Sequence, residues 1–490
     1  SAVPFGLLDD PAAQSQPMAV LDLAGTNRLL VAGGPQSGRT TVARTLITSV
    51  AGRFGPEQAH LYVLENRPAG LSGYAELPHC GAVLSAAEPD RIRRFVTWLD
   101  SEVQRRTVAR FAVTGEPDPW ILVIIDGWEY FENRGDPNFI ETSMLGTVRA
   151  IITAGPPVGV HVVAIGGQDM MSGKVPGLYS HRILLPFPKE DIRKQSLTGP
   201  MVPPPVLPGR AIDAGNGLHL QVAQAAGTPA DLVAQRRDRP TDTHPPRRFP
   251  PIPARIALAD LAVPEVAPSP TWIPLGVGGP DVVTLGVDLF EAGPHLMLVS
   301  GPGGSGRTTA AATVAHGLRR IDVGVLALAP PRSPLRTLLP DDAGVRVLSG
   351  TTLKDADLRT AVEAFGDGPY AVIIDDCEQI TVTPTQEGFS EAPTLLQDIA
   401  GPGALGRQAL IMCGDATPIL EGQRRSLMRI VNEIMTAGTR LLLTPTSVPV
   451  ARTHGFTLER DQFFAGPPGR GHLTTGRGAT IIQLAVVRAA

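Results

Sequence analysis

The stretch "GGPQSGRTT", residues 33–41, follows the apolar run "RLLVA", and "GPGGSGRTT", residues 301–309, follows "HLMLVS". Both fit the phosphate-loop pattern G-x-x-x-x-G-K-[ST] except that arginine replaces lysine, as Arg39 and Arg307. In such a loop, glycines let backbone amides turn inward around a phosphate, and the next helix aims its N-terminus at the anion. The candidates are Gly33, Gly34, Ser37, Gly38, Arg39, Thr40 and Thr41 in the first loop, and Gly301, Gly304, Ser305, Gly306, Arg307, Thr308 and Thr309 in the second. Thr40 and Thr308 would each offer a hydroxyl to Mg²⁺. A glycine-rich turn between a strand and a helix would show the same letters, so a single loop decides little.

The loops are 268 residues apart, and other pairs keep nearly that spacing: "PFGLLD" with "PLGVGG", "GAVLS" with "GVRVLS", "PGRA" with "PGRG", and "LQVA" with "IQLA". Order and spacing recur together, which points to a duplicated domain. Each half shows six continuous apolar runs. They are "RLLVA", "HLYVLE", "WILVIID", "HVVAIG", "RILLPF" and "LHLQVA" in the first, and "HLMLVS", "VGVLALA", "YAVIID", "ALIMC", "RLLLTP" and "TIIQLAV" in the second. Runs of this kind suit strands of a parallel sheet buried on both faces. Ile92, Phe95, Val96, Leu99 and Val103 form one helical stripe between the second and third runs.

Two runs close on a carboxylate, Asp126 and Asp375, in the position that holds Mg²⁺ opposite a phosphate loop. Loop and acid in the same order in both halves give an α/β fold class: two tandem P-loop NTPase domains, each a mainly parallel sheet with helices on both faces. The domains are expected at 1–235 and 271–490, joined by a proline-rich linker at 236–270. Proline holds such a segment extended. Within it, "ARIALADL" could add an edge strand to a neighbour. The implied cofactors are ATP and Mg²⁺, with Thr40, Asp126, Thr308 and Asp375 around the metal.

Binding and hydrolysis need different groups. Turnover requires an acid that polarises water beside the metal carboxylate. Gly127 follows Asp126, and Glu129 lies three residues on, a poor substitute. Asp376 follows Asp375 and is the one catalytic candidate. A guanidinium is larger and more rigid than an ammonium, so arginine in the loop also argues for slow turnover. The expectation is nucleotide held more readily than split. Arg182 and Arg440 open equivalent runs and are candidate cations for a neighbour's nucleotide. Gln168 and Asp415 follow the fourth run, where a polar group can sense the γ-phosphate.

The 490 residues are 43% hydrophobic and 18% charged, enough for more than one core, and the net charge of −4 demands neither nucleic acid nor a membrane surface. Of the 43 basic residues only Lys174, Lys189, Lys194 and Lys354 are lysines, so a coding bias toward arginine also explains Arg39 and Arg307. Cys80, Cys377 and Cys413 are too scattered for a zinc site and suit a reducing compartment. No apolar run is long enough to span a bilayer. The missing initiator methionine leaves room for an anchor outside these residues.

With "VPFGLLDDP", "GGPQSGRTT", the strands ending in "IID", and the late "LPGRA…LHLQVA" and "PPGRGHL", the chain resembles the C-terminal ATPase domains of EccC, the FtsK/SpoIIIE-like motor of type VII secretion. The resemblance covers nearly the whole chain and is weaker in the second half. It implies the second and third ATPase domains of a protein whose N-terminal region is membrane-anchored, placing these residues on the cytoplasmic side with no direct membrane contact. It also implies a competent first ATPase domain as a neighbour, a WXG-type secreted substrate whose C-terminal signal docks on the last domain, and a hexamer as one assembly. A DNA translocase is the competing reading, disfavoured by the acidic balance and by the lack of a recognisable DNA-guiding winged helix. A scaffold with vestigial loops is the third.

Overall fold

The computed structural model describes residues 1–66, 70–109, 118–130, 143–171, 174–188, 205–237, 244–291, 294–382, 393–404, 406–421, 425–458, 462–463, 466–475 and 478–487. It divides into two units, Ser1–Pro250 and Pro251–Ala490.

The principal strands of the first unit are β1 (Ala2–Asp9), β2 (Met18–Asp22), β3 (Leu29–Ala32), β4 (Ala59–Glu65), β5 (Cys80–Ser85), β6 (Trp120–Asp126), β7 (Val160–Gly166), β8 (His181–Leu184), β9 (Arg210–Asp213) and β10 (His219–Val222). They form one sheet in the order 2-1-10-9-8-3-7-6-4-5. From β8 to β5 every pairing is parallel, while β9, β10, β1 and β2 extend the sheet antiparallel. The helices are α1 (Arg39–Arg53), α2 (Pro89–Ala109), α3 (Ser143–Ala154) and α4 (Pro229–Arg236). Alternate residues of β3 enter different cores. Leu29 and Val31 pack with Val42, Leu46 and Val50 of α1, whereas Leu30 and Ala32 join the cluster holding Phe95 and Leu99 of α2 and Val148 of α3. Helices therefore cover both faces, as period-two alternation in a doubly covered strand requires. The stripe from Ile92 to Val103 is buried along α2, as its spacing implies.

The second unit repeats the plan with β11 (Trp272–Gly278), β12 (Val283–Asp288), β13 (Leu296–Ser300), β14 (Gly324–Ala329), β15 (Val345–Ser349), β16 (Tyr370–Ile374), β17 (Gln408–Gly414), β18 (Thr439–Leu443), β19 (Arg470–Thr475) and β20 (Gly478–Leu484). Their order is 12-11-20-19-18-13-17-16-14-15, which matches the first sheet strand for strand. Here α5 (Arg307–Arg320) covers one face, while α6 (Asp355–Glu363), α7 (Thr394–Ala400) and α8 (Arg425–Ala437) cover the other. All six apolar runs read in each half are strands, and four further strands complete each sheet.

The stretch read as a linker packs against the units. Phe249 is 2% exposed and meets Phe95 edge-on with ring centroids 5.4 Å apart. The carbonyls of His244 and Arg247 accept from His60 Nε2 (2.9 Å) and the Tyr62 hydroxyl (3.2 Å), and that of Pro250 accepts from Arg94 Nη2 (2.7 Å). Residues 244–250 thus form a strap along the α2 face of the first unit, held by carbonyls because prolines cannot donate to a ladder. In the second unit Ile252, Leu258 and Leu261 pack with Val277 and Ala485. In place of an edge strand, "ARIALADL" makes one parallel bridge, Ala257 with Val486, before a 3₁₀ turn at Leu258–Asp260. Residues 238–243 of this stretch lie outside the described residues.

Candidate functional site: two phosphate loops

β3 and β13 each deliver the chain into a glycine loop that ends in an uncapped helix. Gly38 and Gly306 stand at φ 106° and 104°, a region closed to most side chains, and let α1 and α5 begin at once with Arg39 and Arg307. Neither helix has a side-chain N-cap, which leaves first-turn amides for an anion. Ser37 Oγ and Ser305 Oγ are buried with no hydrogen-bond partner among the described residues. Side chains at Gly33 or Gly301 would close the loops, since a Cβ there would stand 2.5 Å and 2.7 Å from those serine oxygens. Orphaned hydroxyls, open amides and a cradle that a methyl group would fill fit a phosphate.

Each loop is braced from behind. Gly209 donates its amide to the Ser37 carbonyl (2.9 Å), and Gly469 donates to that of Ser305 (2.8 Å). This contact accounts for the recurrence of "PGR" at matching places. Gln221 and Gln483 of the recurring "LQVA" and "IQLA" stand behind these glycines, with Nε2 2.9 Å from a Cβ at either position.

The acids stand where the strand order requires. β6 and β16 are separated from the loop strands by one strand, β7 or β17. Thr40 Oγ1 donates to Asp126 Oδ2 at 2.7 Å, and Thr308 Oγ1 reaches both oxygens of Asp375 at 3.1–3.2 Å. Burial pushes both carboxyls above the usual range; Asp375 is fully buried. Ser333 Oγ donates to Asp375 at 2.5 Å. Among the described residues no group of three or more His, Cys, Asp or Glu could hold a metal. A Mg²⁺ here would draw on the Thr–Asp pair, with phosphate oxygens and water completing its shell.

Behind the acids the units diverge. In the first, Gly127 adopts φ 110°, and a Cβ would meet Asn66 Cβ at 2.3 Å, so this backbone has no room for an acid there. Glu65 faces Asp126 in the β4–β6 register. Trp128, Glu129, Gly167, Asp169 and Met170 line a cavity of about 160 Å³, Gln168 opens the turn that carries two of them, and Arg39 Nη1 lies 3.6 Å from a Cβ built on Gly167. In the second, Asp376 takes a left-handed conformation (φ 48°) and pairs with Arg307 Nη2 at 3.3 Å. Glu378 accepts from Arg307 Nη1 at 3.1 Å and from the amide of Asp415 at 3.0 Å. Burial raises the Glu378 carboxyl. Arg182 and Arg440 hold the same register, opposite Leu30 and Leu298, and Arg440 lies 5.8 Å over the Phe456 ring. Glu378 and Ser333 went unread in the sequence; the spacing Asp-x-x-Glu, shared by Asp126/Glu129 and Asp375/Glu378, was the available signal.

The FtsK/SpoIIIE family model matches residues 8–115, which include the first loop. The ESX secretion system protein EccC of Thermomonospora curvata is 28% identical over 60% of this chain and 24% of its own length. The ESX-1 secretion system protein EccCb1 of Mycolicibacterium smegmatis is 25% identical over 99% of this chain and 88% of that protein. The chain spans about a quarter of the first curated relatives it matches. Among solved structures, EssC (ATPases 2 and 3) from Geobacillus thermodenitrificans superposes with a TM-score of 0.66 at 17% identity, covering 99% of this chain and 96% of that one. Thermomonospora curvata EccC (ATPases 2 and 3), in complex with a signal sequence peptide, gives 0.64 at 21%, covering 99% and 93%. The fold is that of tandem P-loop ATPase domains, and the resemblance to the EccC type of FtsK/SpoIIIE ATPase extends over both units.

Proposed function

We propose that this chain is the second and third ATPase domains of a type VII secretion motor, binding ATP with Mg²⁺ in both loops and splitting it slowly or not at all. The observation that carries this reading is the doubled arrangement of uncapped helix, orphaned serine hydroxyl and Thr–Asp hydrogen bond. Slow turnover follows from Gly127 in the first unit and from the pairing of Asp376 with Arg307 in the second. Asp126 and Asp375, with Thr40 and Thr308, would hold the metal, which when bound neutralises phosphate charge. Equilibrium dialysis with ATP and Mg²⁺ should find two nucleotides per chain, with phosphate release far slower than nucleotide exchange. No binding at millimolar ATP would overturn the reading.

The last domain is the docking site for the C-terminal signal of a WXG-type secreted substrate. In the first unit β5 is almost wholly buried, and the strap 244–250 lies along the adjoining α2 face. Its counterpart β15 is largely exposed, and on the matching face Leu348 is half-buried in the cluster that also takes the half-buried Phe365. An extended or helical peptide with apolar anchors fits such a face, and the peptide complex of the Thermomonospora curvata neighbour favours it as the occupant. A labelled substrate tail should bind the chain and lose affinity with Leu348→Asp; unchanged binding would overturn this placement. The N-terminal membrane anchor, the cytoplasmic location, the neighbouring first ATPase domain and a hexameric assembly belong to the same proposal for the whole protein.

A further inference from the structure

The two loop arginines differ in what they touch. Arg307 makes three hydrogen bonds. Nη1 donates to Glu378 Oε1 (3.1 Å) and to the Gly301 carbonyl (3.2 Å), and Nη2 donates to Asp376 Oδ1 (3.3 Å). The other oxygen of Glu378 holds the Asp415 amide, so close to Gly414 that a Cβ there would stand 2.2 Å away. In the first unit no hydrogen bond or ion pair ends on Arg39 among the described residues. There Met170 fills the space beside Gly166, the counterpart of Gly414, with Sδ 2.3 Å from a built Cβ.

A planar guanidinium can serve two carboxylates and a carbonyl at once, which a lysine ammonium cannot do in the same fixed geometry. Arg307, Asp376 and Glu378 are all largely shielded, their side chains 13%, 21% and 20% exposed, so the pairs are little screened by solvent. The cation that a phosphate loop would present to its ligand is already neutralised from within.

We propose that Glu378 is a positioning residue that, together with Asp376, holds Arg307 off the phosphate and ties it to the Asp415 amide, so that a triphosphate fills the second unit only by taking Arg307 over. This rests on the nucleotide reading above. The second site then binds ATP more weakly than the first, and filling it releases the end of β17. That end is wired further: the Ala416 amide donates to Ser300 Oγ, which is hydrogen-bonded to His454 Nε2 at 2.8 Å. The affected surface is thereby extended to the short helix Val448–Thr453.

Photolabelling of the full chain with azido-ATP and Mg²⁺, followed by peptide mapping, reads each unit separately. Glu378→Gln should shift half-labelling of the second unit to about tenfold lower nucleotide, the equivalent of one charge-assisted hydrogen bond, and leave the first unit unchanged. Asp376→Asn should shift it the same way by less, which keeps the test alive if the first variant folds poorly. The gain should vanish in an Arg307→Ala background. Unmoved curves in both variants, or a gain that survives Arg307→Ala, would overturn the clamp. No labelling of either unit at millimolar nucleotide in any of these proteins would overturn the nucleotide reading, and the clamp with it.

Discussion

The amide of Gly209 donates to the carbonyl of Ser37 at 2.9 Å, joining the tip of the antiparallel extension to the back of the first phosphate loop. Gly209 has φ 76°, and a Cβ there would meet Gln221 Nε2 at 2.9 Å. Gly209→Ala should therefore cost about 1–2 kcal/mol in backbone strain and weaken nucleotide binding in the first unit. Denaturant melts with and without ATP would read both effects; equal ligand-induced stabilisation in variant and parent would separate this glycine from the loop.

The hydrogen bond from Thr40 to Asp126 aligns the two groups proposed above to hold Mg²⁺. Asp126→Asn should weaken Mg²⁺-dependent ATP binding by roughly 10–100-fold while leaving metal-free binding much less affected. Titration of a fluorescent ATP analogue with and without EDTA would check it.

Arg39→Lys should not bring rapid turnover, because Gly127 leaves water unactivated beside Asp126. Adding Gly127→Glu should not rescue it either: φ 110° and the nearby Asn66 Cβ exclude the side chain, at a backbone cost alone of about 1–3 kcal/mol. Brisk phosphate release by either variant would show that the backbone can rearrange.

Phe249 anchors the strap among Tyr62, Phe95 and Trp98. Phe249→Ala should destabilise the first unit by about 3–5 kcal/mol and expose apolar surface along α2. Calorimetry should show the loss in one of two transitions, accompanied by new binding of a hydrophobic dye.

Asp213 is buried, yet its carboxyl lies below the usual range: desolvation raises it, but His181 Nε2 at 3.3 Å and the Gly215 amide at 2.9 Å outweigh that. A depressed acid stabilises the fold above its unfolded value of 3.8 and loses that contribution as pH falls through the folded value. Asp213→Asn should thus lower the melting temperature at pH 7, with the gap to the parent narrowing below about pH 4. A gap that widens on acidification would contradict the sign.

Much of this was readable from letters alone. Buried parallel strands need continuous apolar runs, so β3, β6 and β13 declared themselves, as did the α2 stripe. The strands at and next to the sheet edges did not. In β1 the register slips between Pro4 and Gly6, and in β11 between Pro274 and Gly276, which breaks the alternation that marks a strand. β15 has only partly buried apolar residues, so it shows no apolar run and was seen only as a repeat. The loop glycines, both threonines and both strand-end acids followed from local spacing. Glu378 did not, because its role depends on a 3₁₀ turn that swings a residue three places past Asp375 back beneath Arg307. Ser333 reaches Asp375 across a separation in sequence that no local pattern encodes.

Each cradle is finished by a residue that leaves the ribosome long after the loop it supports. Until Gly209 has emerged and its hairpin has paired, the first loop has no backing, and the second waits in the same way for Gly469. On the nucleotide reading proposed above, capture is thus deferred until late in each unit's synthesis, so a truncated product that retains the full glycine motif should nonetheless be a poor nucleotide trap.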